Sequence, residues 1–580
     1  MKTAIRAKLT DSRNWEVAID WQSIKKHQPQ KIKKIMRQIK IPLLILLMIF
    51  GLFSCQKDEL NLGVEKNTEL NGEVESTGKM VLGDKLENPY SVKNMKKAYE
   101  SLKSNATIKL TESDKFEVIA NTLYIRFLPK DSTDLRTLWA DTTIELFDFP
   151  LDYEIVEEGF YYHDPEIPEG HPTWQYTSVP IDYQFPNVKY EIIEECYIPK
   201  DDEEDIELKG SYSDDFYGQL EMESFRLTGN LNDENDLKNT NATKGKNKPK
   251  GIIKVKNTTK GLEGVMKVKV RVHNFVKWNT VYTNENGNYK MSKNFRTDVH
   301  YAVVFENATG FKIWGNWAMF SPAIYNMKWH SNSGYDKEID TDSKAWLWST
   351  VNNGTFYYRE KLCPKFGISK PPSNIRIWTL RTGGKWGGCA PMARQITLGI
   401  NNLMDFLVIG YAGIKSKGIT TALSLCMPDI FLFQNYTNTK DCYATLWHEL
   451  SHASHYHKVG KWYWLNYITA ISTQFGYGDG SRSIDGYIGV GEMWGNYFGN
   501  YVCCDDYFGN PVHWDAKEDW YNPGFLLGVD NISDVSTAEI FGCLTSDIHS
   551  ISSIKSKLKT ITSYDSQVDN AYNTVDTDWP

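Results

Sequence analysis

Apolar positions in this chain recur with two different periods. In VMKVKVRVHNF, Val265 to Phe275, they alternate: Val268, Val270 and Val272 fall on one side of a predicted strand and Lys267, Lys269 and Arg271 on the other. YTNENGNYK follows, and its Asn286-Gly287 pair predicts a tight turn into another strand. The short apolar run PDIFLFQN, Pro428 to Asn435, also reads as a strand. Elsewhere the spacing is helical. Met95, Ala98, Tyr99 and Leu102 share one face behind Ser91, a possible cap. In TLWHELSHASHYHKVG, Leu446, Leu450 and Ala453 lie within about 60° of one another, and His448, His452 and His455 cluster on the opposite side. In YIGVGEMWGNYFGNYV, Tyr487 to Val502, Val490, Trp494, Tyr497 and Tyr501 form one apolar stripe, with Glu492 and Asn496 on the other side.

A length of 580 residues predicts roughly three or four folded units. The expected divisions are a leader over 1–55, a polar tether over 56–85, an α+β domain over 86–228, an Asn/Lys-rich linker over 229–250, a β-sandwich over 251–317 and a large aromatic domain over 318–580. DSTDLRTLWADTTIELFDFPLDYEI, with its many carboxylates, reads as a solvated acidic face. The stretch GGKWGGC, Gly383 to Cys389, lacks the GKS/T of a phosphate loop and reads as a turn-rich loop.

The apolar run IPLLILLMIFGLFSC, Ile41 to Cys55, is too short to span a bilayer, and Lys33, Lys34, Arg37 and Lys40 give it the positive flank of a signal peptide. Translation is expected to start at Met36. The end of the run, Leu52-Phe53-Ser54-Cys55, resembles a bacterial lipobox, which implies an acylated Cys55 and a partner in the lipid bilayer. Gln56-Lys57-Asp58-Glu59 is similar to the export signal of Bacteroidota surface lipoproteins, which implies an outer-membrane, lipid-anchored, surface-exposed protein. Of nine cysteines the other eight form an even number, which permits disulfides without choosing among them. A net charge of −8 argues against a nucleic-acid partner. The 19 Trp and 33 Tyr suit grooves for peptide or carbohydrate.

His448-Glu449-Leu450-Ser451-His452 is an HEXXH sequence. On a helix, histidines at i and i+4 stand one above the other and can share one ion, while Glu449 projects beside them, where it can act on a bound water. Thr439 and Asp441 are possible N-caps for this helix. A catalytic zinc needs a third protein ligand. His455 and Lys458 stand where the metzincin pattern requires glycine and histidine, so that class is excluded. Glu492 is the expected third ligand, with Asp479 and Asp485 as competitors. Gly491, Gly495 and Gly499 predict a close approach of another backbone, plausibly that of the histidine helix.

Residues Asp441 to Asn496 therefore resemble a gluzincin-type zinc metallopeptidase, with a longer gap from His452 to Glu492 and Asn496 where thermolysin-like enzymes carry aspartate. The resemblance implies one zinc ion on His448, His452 and Glu492, Glu449 as general base, and Asn496 orienting a ligand histidine. An oxyanion donor is also expected, and Tyr487 is preferred to His455, His457 and Arg482. GVMKVKVRV and TNENGNYKM resemble the carboxypeptidase regulatory-like, transthyretin-like β-sandwich. The expected fold is thus multidomain α+β: an N-terminal α+β domain, a transthyretin-like sandwich and a zincin-like metallopeptidase domain. Zincins hold extended substrates on an edge strand, a role expected here of PDIFLFQN. The expected function is hydrolysis of peptide bonds in extracellular proteins or glycoproteins. The alternatives are a non-catalytic surface receptor for protein or glycan, and a zinc hydrolase of non-peptide substrates.

Overall fold

A computed structural model describes residues 5–11, 14–19, 78–104, 116–168, 171–199, 214–231, 246–315, 321–379, 385–397, 428–474, 476–478, 480–510, 521 and 523–575. Met1–Phe53 and Ser54–Pro580 form two separate compact units. In the first, β1 (Ile5–Asp11) and β2 (Asn14–Ile19) pair antiparallel, Ile5 opposite Ile19. Met36, the apolar run with Cys55, and Asp479 lie outside the described residues. Among the described residues no helix is long and apolar enough to cross a membrane.

The second unit is mixed α+β. Its first part pairs β3 (Val81–Lys85) with β5 (Tyr153–Glu157) and sets β4 (Thr122–Leu128) between β6 (Gln175–Pro180) and β7 (Lys189–Cys196). Helices α1 (Val92–Ser104), α2 (Ser132–Ala140) and α3 (Asp214–Leu227) accompany them. Met95, Ala98 and Leu102 of α1 are buried, and Ser91 Oγ accepts from Asn94 N at 3.2 Å, as the apolar spacing and the cap predicted.

Next come β8 (Lys250–Asn257), β9 (Gly261–Gly264), β10 (Val268–Asn274), β11 (Lys277–Tyr282), β12 (Asn288–Lys290), β13 (Val299–Asn307), β14 (Lys312–Trp314), β15 (Ile324–His330) and β16 (Lys337–Ile339). The turn before β12 forms where expected: Asn284 Oδ1 accepts from Asn286 N and Asn288 N, and Gly287 sits at φ +81°, with Ile253 O only 2.1 Å from where a Cβ would stand. β12, β8 and β16 make a small sheet, with β9 also on β8. The larger sheet does not stop at residue 317. It runs β11-β10-β13-β14 and continues into β17 (Arg376–Thr379), β19 (Ile430–Gln434) and β18 (Lys385–Cys389). Helix α4 (Lys344–Tyr357), buried from Ala345 to Phe356, packs against β8, β13 and β14.

Both faces of β10 are covered. Val268, Val270 and Val272 are buried as the alternation predicted, but so is Arg271, whose Nη1 meets Glu145 at 3.4 Å. Lys269 Nζ lies 3.2 Å from Glu145 and 2.8 Å from Glu306. The acidic stretch is therefore not simply a solvated face: Asp134, Glu145 and Asp152 are buried, and Tyr124 donates to Asp152 at 3.0 Å. Period-two patterning marks a strand, and it cannot tell water from a second covering layer.

The longer helices that follow among the described residues are α5 (Thr439–Val459), α6 (Lys461–Gln474), α7 (Gly486–Trp494), α8 (Gly524–Asp530), α9 (Thr537–Cys543), α10 (Ile551–Thr562) and α11 (Asp565–Asn573). After Trp494 the α7 backbone widens into a π-helical stretch, Gly495–Cys503, before a last α-turn to Phe508. Cys196, Cys363, Cys389, Cys442, Cys503, Cys504 and Cys543 are buried free thiols.

Candidate metal centre

Helix α5 is capped by Asn438, just before Thr439 and Asp441, the expected caps. Asn438 Oδ1 accepts from Asp441 N at 2.9 Å, and Asn438 Nδ2 donates to Asp441 Oδ2 at 2.7 Å. Its apolar face packs as predicted, with Leu446, Leu450 and Ala453 fully buried. Trp447 Nε1 donates to Gly354 O at 2.9 Å, pinning α5 to α4.

The other face converges with α7. One donor atom each from His448, His452 and Glu492 lies within 4.8 Å of the others, and all three residues are buried. His452 Nε2 is 3.0 Å from His448 Nε2, which is 3.2 Å from Glu492 Oε2; His452 Nε2 lies 3.4 Å from Glu492 Oε1. Two imidazole nitrogens and a carboxylate brought this close, with no lysine or arginine among their described ion-pair partners, form a donor set that fits a divalent cation. Burial alone would raise the Glu492 carboxyl, but the two imidazoles hold it well below the usual carboxylate range. Burial lowers His448, but Glu492, helped by Glu449 and Asn496, leaves it raised on balance.

Glycines make the approach possible. A Cβ on Gly499 would stand 2.5 Å from both N and Cα of His448, and one on Gly495 would meet the His448 and His452 rings at 2.9–3.0 Å. Gly491 faces elsewhere, against the Tyr467 ring of α6 at 2.9 Å. Two of the three glycines thus admit the histidine helix and the third admits α6.

Glu449 is 1 % exposed, and its Oε2 has no hydrogen-bond partner among the described residues. Burial, reinforced by Glu492 and partly offset by His448, pushes its carboxyl up to about 8. Beside it runs β18. A Cβ on Gly388 would stand 2.9 Å from Glu449 Cγ and Oε1 and from Thr445 Cγ2. PDIFLFQN does form a strand, β19, but it lies inside the sheet, parallel to β17. The last strand among the described residues is antiparallel β18, drawn from the segment read as a turn-rich loop. Glycine hid it: paired glycines carry no β signal, and here one of them makes room for Glu449.

Other expected residues sit as follows. Asp485 is buried under Arg482, whose Nε and Nη2 meet its Oδ1 at 3.0 and 2.6 Å, so both are engaged with each other. His455 packs against Tyr463 and Trp464, with neither ring nitrogen hydrogen-bonded among the described residues. His457 is exposed, and its Nδ1 is 2.6 Å from Lys370 O. Tyr487 accepts from Asn466 at 3.2 Å and stacks on His549. The hydroxyl that reaches the triad is that of Tyr467, which donates to Glu492 Oε1. No sequence signal marked it, because it is one aromatic among several in KWYWLNYITA. Asn496, one turn past Glu492, adds a minor hydrogen-bonding contribution favouring charged His448. Comparison with family models, curated proteins and solved structures returned no match.

Proposed function

We propose that this protein is a zinc-dependent metallopeptidase. The observation that carries the reading is the convergence of His448, His452 and Glu492 on one buried point, with Glu449 and its unpartnered oxygen alongside. Zinc bound there would polarise a scissile carbonyl and lower the pKa of an attacking water towards about 7. The chain's own groups supply the rest. Glu449, beside the two histidines with an unpartnered Oε2, accepts the water's proton and returns it to the leaving amine. The backbone of β18, beside Glu449, offers an edge along which an extended peptide can pair. The fold behind this arrangement is read as zincin-like, with residues 251–317 as a transthyretin-like unit built into the same sheet.

The lipobox resemblance supports an acylated Cys55 and the export-signal resemblance of Gln56-Lys57-Asp58-Glu59 supports the outer surface of an outer membrane, so Cys55→Ala is expected to release the protein from the membrane fraction. The test of function is zinc content and cleavage of a peptide library by the soluble chain from Gln56. Wild type is expected to hold one zinc and cut. Glu449→Gln should keep zinc and lose about 10²–10⁴-fold in rate, and Glu492→Gln should lose zinc. A wild type that binds no zinc, or a Glu449→Gln variant that cuts at the wild-type rate, sinks the reading.

A further inference from the structure

Metal-binding histidines are ordinarily held by a hydrogen bond from the ring nitrogen that does not face the metal. Here Nδ1 of His452 has no hydrogen-bond partner among the described residues, and at His448 Asn496 adds only a minor contribution. The strongest hold on the triad comes from the third ligand. Glu492 has two oxygens: Oε2 is turned to His448 Nε2 at 3.2 Å, and Oε1, 3.4 Å from His452 Nε2, receives the Tyr467 hydroxyl.

Tyr467 is itself closely confined. Gly460, at φ +82°, ends α5 and lets α6 fold back across the site. The Tyr467 ring then lies against Gly491, where any Cβ would stand 2.9 Å from it. On another side it stacks on Trp464, with ring centroids 4.6 Å apart. Trp464 Nε1 donates to Ala390 O at 3.1 Å, directly after β18, so the stack is anchored to the strand beside Glu449. The His452 ring also lies near both, with centroids 5.8 Å from Trp464 and 5.9 Å from Tyr467. A phenol fixed this way offers its one proton in one direction, and Glu492 Oε1 lies there.

We infer that Tyr467 is a positioning residue for the metal: its hydrogen bond to Oε1 of Glu492 fixes the rotation of the carboxylate that faces His448 and His452. The inference rests on the metallopeptidase reading of the same site. Without the hydroxyl, Glu492 is free to rotate, which would weaken metal binding and alter the surroundings of a bound ion.

The test uses the metal-free soluble chain from Gln56, as wild type, Tyr467→Phe and Tyr467→His. Zinc affinity is measured by competition with a chromophoric chelator, and the visible absorption of the cobalt(II)-loaded forms reports coordination. For each variant the rise in thermal midpoint on adding zinc is taken against its own metal-free midpoint, which removes differences in basal stability. Tyr467→Phe is expected to bind zinc roughly 10–100-fold more weakly, with a smaller zinc-dependent rise and an altered cobalt spectrum. Tyr467→His, which keeps a ring and a donor, should recover part of the affinity. Wild-type affinity and an unchanged cobalt spectrum in Tyr467→Phe would overturn the positioning role while leaving the metal centre standing. A wild type that binds neither zinc nor cobalt overturns the metal reading itself, and the positioning role with it.

Discussion

His448 and His452 stand one turn apart on a single helix, whereas His273 and His300 face each other across the antiparallel strands β10 and β13. Both pairs are buried and both touch a glutamate, Glu492 in the first case and, for His300, Glu158 at 2.9 Å in the second. Their surroundings separate them. Arg271, two residues before His273 and 1 % exposed, brings a permanent positive charge to the strand pair, with Glu145 and Asp148 as its acidic counterparts. His273 is held neutral by burial first, then by His300 and Arg271. At the helix pair, by contrast, the ion-pair partners of Glu492 among the described residues are the two imidazoles. Buried histidine beside carboxylate is therefore no signature of a metal by itself. The set must converge on one point and must lack a side-chain cation that already fills the role.

The largest expected effect on this contrast is at Glu145. Replacing it by glutamine leaves Arg271 buried without its nearest carboxylate and removes one partner of Lys269, so unfolding free energy should fall by about 3–5 kcal/mol. Zinc affinity at the helix pair should stay within a few-fold. Denaturant titration with zinc binding on the same sample checks both, and a loss of zinc affinity on the same scale would show that the two clusters are not independent.

A smaller effect is expected at Gly499. A Cβ there meets the backbone of His448, which cannot swing aside as a side chain tip can, so Gly499→Ala should cost about 1–3 kcal/mol in stability. Because the same displacement separates α5 from the helix carrying Glu492, zinc binding should weaken together with stability. Equal zinc affinity in Gly499→Ala and wild type would show that helix separation does not matter to the ligand set.

The smallest effect is the pH dependence of the metal-free protein. Burial, with the charges of His452 and Lys458, pushes His455 down to about 3, and His273 is likewise depressed well below its ordinary value. The folded state refuses protons that the unfolded chain accepts below about 6.5. The contribution of each histidine is therefore complete above that pH and is lost as pH falls, by about 1.4 kcal/mol per unit. His273→Phe and His455→Phe should each remove one proton from the slope between pH 6 and 5. A slope unchanged by either substitution would mean that the imidazole is charged in the fold.

Several features were legible because they are local. The i, i+4 spacing of His448 and His452, the apolar face of Leu446, Leu450 and Ala453, and the Asn286-Gly287 turn all follow from backbone periodicity, and they stand where the residues indicated. Glu492 was readable as one of three acidic residues downstream. It was already the preferred one, and Asp485 is engaged by Arg482 while Asp479 lies outside the described residues.

The sequence by itself determined that two histidines and a glutamate share a helix, that β10 alternates, and that a close backbone approach falls at Gly499, whereas Gly495 and Gly491 meet side-chain rings. Only the tertiary structure decided that β18 is the last described strand of the sheet next to Glu449, that the charged side of β10 lies under a second layer, and that Tyr467 rather than Tyr487 reaches the triad. The physical reason is distance along the chain. Periodicity reports which residues share one element's face, but which elements then cover that face depends on packing among segments as far apart as Glu145 and Arg271, or Tyr467 and Glu492, and no local pattern carries that information.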